Sequence, residues 1–255
     1  MKAVALSASI FIFCALIWAV HVPLASFATV KKMADPATDY YASENALQGA
    51  GSGSTMALKA GLVSDSIPVR LHCARILALR GERDGDRVLL EILRANGAET
   101  LRAQAEYSLI QVWNERDAPD PSSLAKLARL ESGSHTDSEK LTAISELLLK
   151  HPGWSGGYVR RARIHQRNSE PFEARRDILS ALMIEPDNFE AIVELAAAYL
   201  ALNGPEQAYL SLEQAIRINP RLKESLRDEI KETVRMLDFQ RTKQRNERRH
   251  EKPIA

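Results

Sequence analysis

Three arginines, Arg160, Arg163 and Arg167, stand three and four residues apart. On a helix that spacing puts their guanidinium groups on one face. Planar guanidinium forks grip carboxylates, so the chemistry this stretch points to is the binding of an acidic ligand. Pairing within the chain, to Glu170, Glu190 or Glu194, is the equal competitor, since exposed ion pairs are common and weak. Other reactive-looking groups offer less. His72 and Cys73 invite a nucleophile–base reading, but neighbours on a helix point about 100° apart and cannot meet. Cys73 falls on an apolar face and reads as a small core residue. The six histidines show no spacing to Cys, Asp or Glu that suits a metal. Glu170, Glu173 and Asp177 have helical spacing, which a solvated face explains better than acid–base work. The Gly49–Ser54 run lacks the Lys-Ser or Lys-Thr and the preceding strand of a phosphate loop, so it reads as a flexible linker. No catalytic residue, cofactor or metal is expected.

The elements that would position the arginines announce themselves by period. Pro152, Pro186 and Pro220 are spaced 186 − 152 = 34 and 220 − 186 = 34. Between them Tyr158, Ala162, His165, Ala174, Ile178 and Ala181 fall opposite Ile192, Ala196, Tyr199, Ala208, Leu212 and Ala215. A fixed period of this length marks a helical repeat array. Each proline ends a second helix, whose hydrogen-bond ladder it cannot continue. Ala162, Ala196, Ala174 and Ala208 are small where two helices must approach.

This pattern resembles the tetratricopeptide repeat (TPR) family, a helix–turn–helix unit whose usual role is protein–protein interaction. Arg161 stands where that family usually has Leu, and Asn203-Gly204 is shifted by one from the usual glycine between the helices. The resemblance implies that the first helix of each pair lines a concave groove. Its inward positions would be Gly156, Val159, Arg163, Gln166 and Arg167 in one repeat, and Glu190, Val193, Ala197, Leu200 and Ala201 in the next. The expected partner-binding set is therefore Val159, Arg160, Arg163, Gln166, Arg167, Glu190, Val193, Ala197 and Leu200. It forms a basic stripe beside an apolar floor and suits a peptide with carboxylates and a few aliphatic side chains. The Lys and Asn of the chaperone-binding TPR clamp are absent, so that activity is not implied.

Upstream, Val69, Cys73, Ile76 and Leu77, then Val88, Leu89, Ile92 and Leu93, recur at helical spacing. Val69-Arg70 and Leu101-Arg102 lie 101 − 69 = 32 residues apart, with Asp65 in a turn before the first. This resembles HEAT-like repeats, which implies a ladder of Asp and Arg along the stack. The expected organisation is residues 55–118 HEAT-like, 119–220 TPR-like with a degenerate first repeat, 221–240 a capping helix, and 241–255 a basic tail. A half-polar helix with Leu222, Leu226, Ile230, Val234 and Leu237 in one stripe suits a solenoid end. The fold class is all-α, a right-handed α-solenoid of helix–turn–helix repeats behind an N-terminal hydrophobic helix.

Residues 3–20 carry no charge. They read either as a signal peptide cleaved after Ala28, within Ala25-Ser26-Phe27-Ala28, or as a membrane anchor, which the length of the run favours. Residues 31–54 are linker. Lys+Arg 34 against Asp+Glu 33 gives no charge bias toward nucleic acid. Two cysteines make no disulfide framework. The expected function is a non-enzymatic scaffold, membrane-tethered or exported, that takes a protein or peptide partner in its groove. The alternative is an adaptor for nucleic acid or anionic lipid through Arg241, Lys243, Arg245, Arg248, Arg249 and Lys252. No aromatic beyond Phe239 is present there to stack on bases, and Glu247 and Glu251 interrupt the charge.

Overall fold

In this computed structural model the described residues are 55–250, with side chains to 245. They form α1 (Thr55–Gly61), α2 (Ile67–Leu79), α3 (Arg83–Arg94), α4 (Glu99–Glu115), α5 (Pro121–Ser132), α6 (Asp137–Lys150), α7 (Ser155–Arg167), α8 (Pro171–Ile184), α9 (Phe189–Ala201), α10 (Pro205–Ile218), α11 (Leu222–Ser225) and α12 (Arg227–His250). The apolar run 1–30 and the linker 31–54 lie outside the described residues. Among those described, no helix is long and apolar enough to cross a membrane.

The expected period is kept to the residue. First helices start at 121, 155 and 189, and second helices at 137, 171 and 205, each step being 34. The stretch read as a degenerate repeat is thus a full helix pair, α5–α6. Local chemistry sets these starts. Asp120 accepts from the backbone N–H of Ser122 and Ser123 at the head of α5, and Thr136 and Glu139 form a reciprocal capping box on α6. Asn188 accepts from Ala191 N–H on α9. Pro171 and Pro205 occupy first-turn positions, where a missing N–H costs nothing. The two turns inside the later repeats match as well: Ser169 (φ 61°) and Asn203 (φ 57°) are both left-handed and 203 − 169 = 34 apart. Asn203 takes the left-handed position itself, a conformation its short side chain tolerates, which accounts for the displaced glycine.

Ala162, Ala174, Ala196 and Ala208 are all buried between helices. Arg161, the departure from the family pattern, forks onto Asp177 through Nε and Nη2 at 2.7 and 2.8 Å and so ties α7 to α8. Asp177 is therefore no solvated residue. It is buried, and His165 on α7 bonds Glu170 beside it through Nδ1 at 2.6 Å. Leu226 and Ile230 close the last repeat against α10 as the expected cap. The helix continues through the start of the basic tail, where Arg241, Lys243 and Arg245 are exposed.

The N-terminal helices depart from expectation. An end-on HEAT-like stack would place α2 and α3 far from the last repeat. Instead Leu89, Leu93, Leu109 and Val112 share one core with Phe189 and Ile192 of α9 and Ala215 and Ile218 of α10. The Asp–Arg ladder is absent too. Arg70 donates to the carbonyls of Ser64 and Asp65, and Arg102 donates to the Leu93 carbonyl and to Glu99, so each serves its own turn. The physical reason is the apolar demand of α4. Trp113 of α4 meets Phe189 edge-on at 5.0 Å between ring centroids, and both are buried in the shared core. Close approach within the N-terminal group rests on Gly85, where a Cβ would stand 2.3 Å from the Ala74 carbonyl oxygen.

Candidate functional site

The residues expected to meet a partner lie on α7 and α9. Along α7 the three arginines point the same way, as the spacing required, and each finds a carboxylate on a different helix. Arg160 reaches Glu131 of α5 at 2.8 Å, Arg163 reaches Glu194 of α9 at 2.6 Å, and Arg167 reaches Asp137 of α6 at 3.3 Å. Gln166 donates to the Glu194 carbonyl at 3.1 Å. The stripe is thus a set of ties between neighbouring repeats. Arg167–Asp137 is the most solvent-accessible of them, with both side chains about a third exposed, so it is the pair water and a competing carboxylate reach most easily. Glu190 sits among these charges, and burial pushes its carboxyl up against the opposing pull of Arg163.

The apolar residues divide. Val159 is 4% exposed and belongs to the core between α7, α8 and α9, so it presents no surface to a ligand. Val193 packs against both the α2–α4 core and the α9–α10 core. Leu200 packs with Leu212 and Leu226. Ala197 is partly exposed. Gly156, expected to face inward, is covered: a Cβ there would stand 2.9 Å from the Asn114 Cα of α4.

That last contact belongs to a feature that the sequence reading did not anticipate. α4 runs across the points where one repeat hands over to the next. At the start of α7, Trp154 Nε1 donates to the Asn114 carbonyl at 2.8 Å. After α8, buried Arg116 donates to Glu185 Oε1 and Asp86 Oδ1, both at 2.6 Å, and to the Ala78 carbonyl. Arg83 adds further bonds to Asp86, Glu185 and the Ile184 carbonyl. After α10, Asn219 donates to Glu106 at 2.6 Å, and Arg221 pairs with Glu106 and Glu99. Glu185 and Asn219 are 219 − 185 = 34 apart, the same position in successive repeats, and both are buried. Two equivalent polar residues, each just before a proline, were the one trace of this interface in the sequence.

Among the described residues no group of three His, Cys, Asp or Glu could hold a metal. Cys73 is buried, and desolvation pushes its thiol up, away from the reactive thiolate.

No family model matches the sequence, and no curated protein sequence does. Solved structures of similar fold include the following two. One is the TPR domain of P58(IPK), at 18% identity and a TM-score of 0.46, with 87% of this chain and 61% of that one covered. The other is the TPR2AB domain of yeast Sti1 in complex with pHSP90, at 17% identity and a TM-score of 0.40, with 67% and 70% covered. This chain therefore spans less than two thirds of the first structure's length.

Proposed function

We propose that the protein is a non-enzymatic scaffold that takes an acidic segment of a partner protein along the inner face of α7 and α9. The observation that carries this is the row of Arg160, Arg163 and Arg167, each held by a carboxylate from a different helix. Guanidinium groups already fixed in a line lose little freedom on accepting another carboxylate. An incoming acidic peptide exchanges for Asp137 first, since that pair is the most exposed. Gln166, Glu190, Val193, Ala197 and Leu200 complete the face. The apolar run 3–20 serves in this reading as the tether that holds the scaffold at a membrane.

The test is crosslinking capture by the full-length protein. Arg163→Ala with Arg167→Ala is expected to abolish capture of an acid-rich partner. Arg167→Ala alone, which leaves Glu194 paired, is expected to weaken it at an unchanged melting temperature. Capture that survives both variants makes the stripe structural and moves the binding face elsewhere. The tether is tested separately by membrane sedimentation and high-salt extraction. A soluble mature form starting at Thr29 would mean export.

A further inference from the structure

A second surface lies on the exposed side of α8. Phe172, Leu179 and Met183 are 63%, 41% and 86% exposed, and with Glu173, Arg175, Arg176 and Ser180 they line one shallow open depression. Their spacing of seven and four residues keeps them on one helix face. Single exposed apolar residues need no explanation, but a contiguous row on a regular helix does. The charges here are also distinctive. Arg160, Arg161, Arg163 and Arg167 of α7 each have a carboxylate. Arg175 and Arg176 have none among the described residues; Arg175 lies over the Phe172 ring, 5.8 Å from its centroid. That stacking holds a guanidinium beside apolar surface with its charge unanswered.

We propose that the exposed face of α8 is a docking site for an acidic amphipathic helix of a partner protein. Leucine-like side chains of that helix would cover Phe172, Leu179 and Met183, while its carboxylates pair with Arg175 and Arg176. The depression suits a helix laid alongside rather than a flat sheet of lipid headgroups. Glu173 in the same lining opposes a uniformly anionic bilayer, whereas a helix can set its carboxylates against Arg175 and Arg176 alone.

The experiment uses the full-length protein and two labelled synthetic helical peptides, one with leucine and glutamate faces, the other with lysine for glutamate. Fluorescence anisotropy is expected to show binding of the acidic peptide only. Affinity should fall at least about tenfold in Arg175→Glu/Arg176→Glu and again in Met183→Glu, with melting temperatures unchanged. Binding should persist in the Arg163→Ala/Arg167→Ala background, where the α7 stripe cannot contribute. Equal binding of both peptides, no binding, or a loss confined to that background overturns the proposal. So does flotation with phosphatidylglycerol vesicles that is lost only in the α8 variants, which would assign the surface to lipid. Concentration-dependent self-association abolished by those variants would assign it to a second copy.

Discussion

Removing the Arg116 side chain should loosen the molecule more than any surface change. Arg116 is 7% exposed and answers two carboxylates that are themselves buried, Asp86 on α3 and Glu185 at the end of α8. In Arg116→Ala the Ala78 carbonyl keeps its bond from Gly81 N–H, so the loss falls on the carboxylates. Breaking a buried pair by deleting one partner costs about 3–5 kcal/mol, because a charge is left in low dielectric. Arg83 still reaches both carboxylates but stands half in water, so the lower part of that range is expected. For a domain of this size about 1 kcal/mol moves the melting temperature by about 2–4 °C, which gives a drop of about 6–12 °C for a loss of about 3 kcal/mol. The assay is thermal and urea unfolding followed by circular dichroism, with Arg116→Met/Asp86→Leu/Glu185→Met as comparator. The triple change removes the charges together and should recover most of the loss. A melting temperature for Arg116→Ala within about 2 °C of the parent refutes the reasoning, since a shift so small means less than about 1 kcal/mol and a solvated network.

Glu190→Gln should stabilise the protein at neutral pH. The folded-state pKa is raised above the ordinary value by burial, so ionisation weakens the fold once pH rises past the unfolded value of 4.5, and the effect is complete above the folded one. The difference between variant and parent in urea midpoint should vanish on acidification below pH 4.5; a variant weaker at neutral pH would mean that attraction to Arg160 and Arg163 outweighs burial and repulsion from Glu194. Ala208→Leu should cost about 1–3 kcal/mol by overpacking the α9–α10 contact, read as a lower urea midpoint. Gly85→Ala must push α3 off α2, because the Cβ meets the backbone of Ala74 and Ala78; it should lower the melting temperature, whereas Gly97→Ala, with open space around it, should not.

What the sequence revealed and what it hid divide along a physical line. The period of 34 was legible because each proline and each small alanine answers a need within its own helix pair. The arginine stripe was legible as a stripe for the same reason. Its carboxylates come from α5, α6 and α9, and nothing in local spacing selects Glu131, Asp137 and Glu194 over other acids. The placement of α4 depends on bonds such as Arg116–Glu185 and Glu106–Asn219, whose partners stand 69 and 113 residues apart. No window of sequence contains both ends. The HEAT-like reading finds no support there: the helices form, and they pack on the flank of the later repeats.

The crossing of α4 over the repeats has a consequence for how the protein folds. A bare solenoid is close to one-dimensional, with neighbours in space also neighbours in sequence, so it can nucleate anywhere and fray from its ends. Here contacts of long separation join α2–α4 to the stretch from Glu185 to Arg221. They raise the contact order and slow the search for the native state. They also change what happens at the ribosome. Helices α2–α4 emerge before the repeats, with Leu93, Leu109 and Trp113 uncovered, and wait until Ile218 has been made before their core can close. During that interval the nascent chain shows an apolar face to whatever is nearby, and the finished protein unfolds as a unit rather than repeat by repeat.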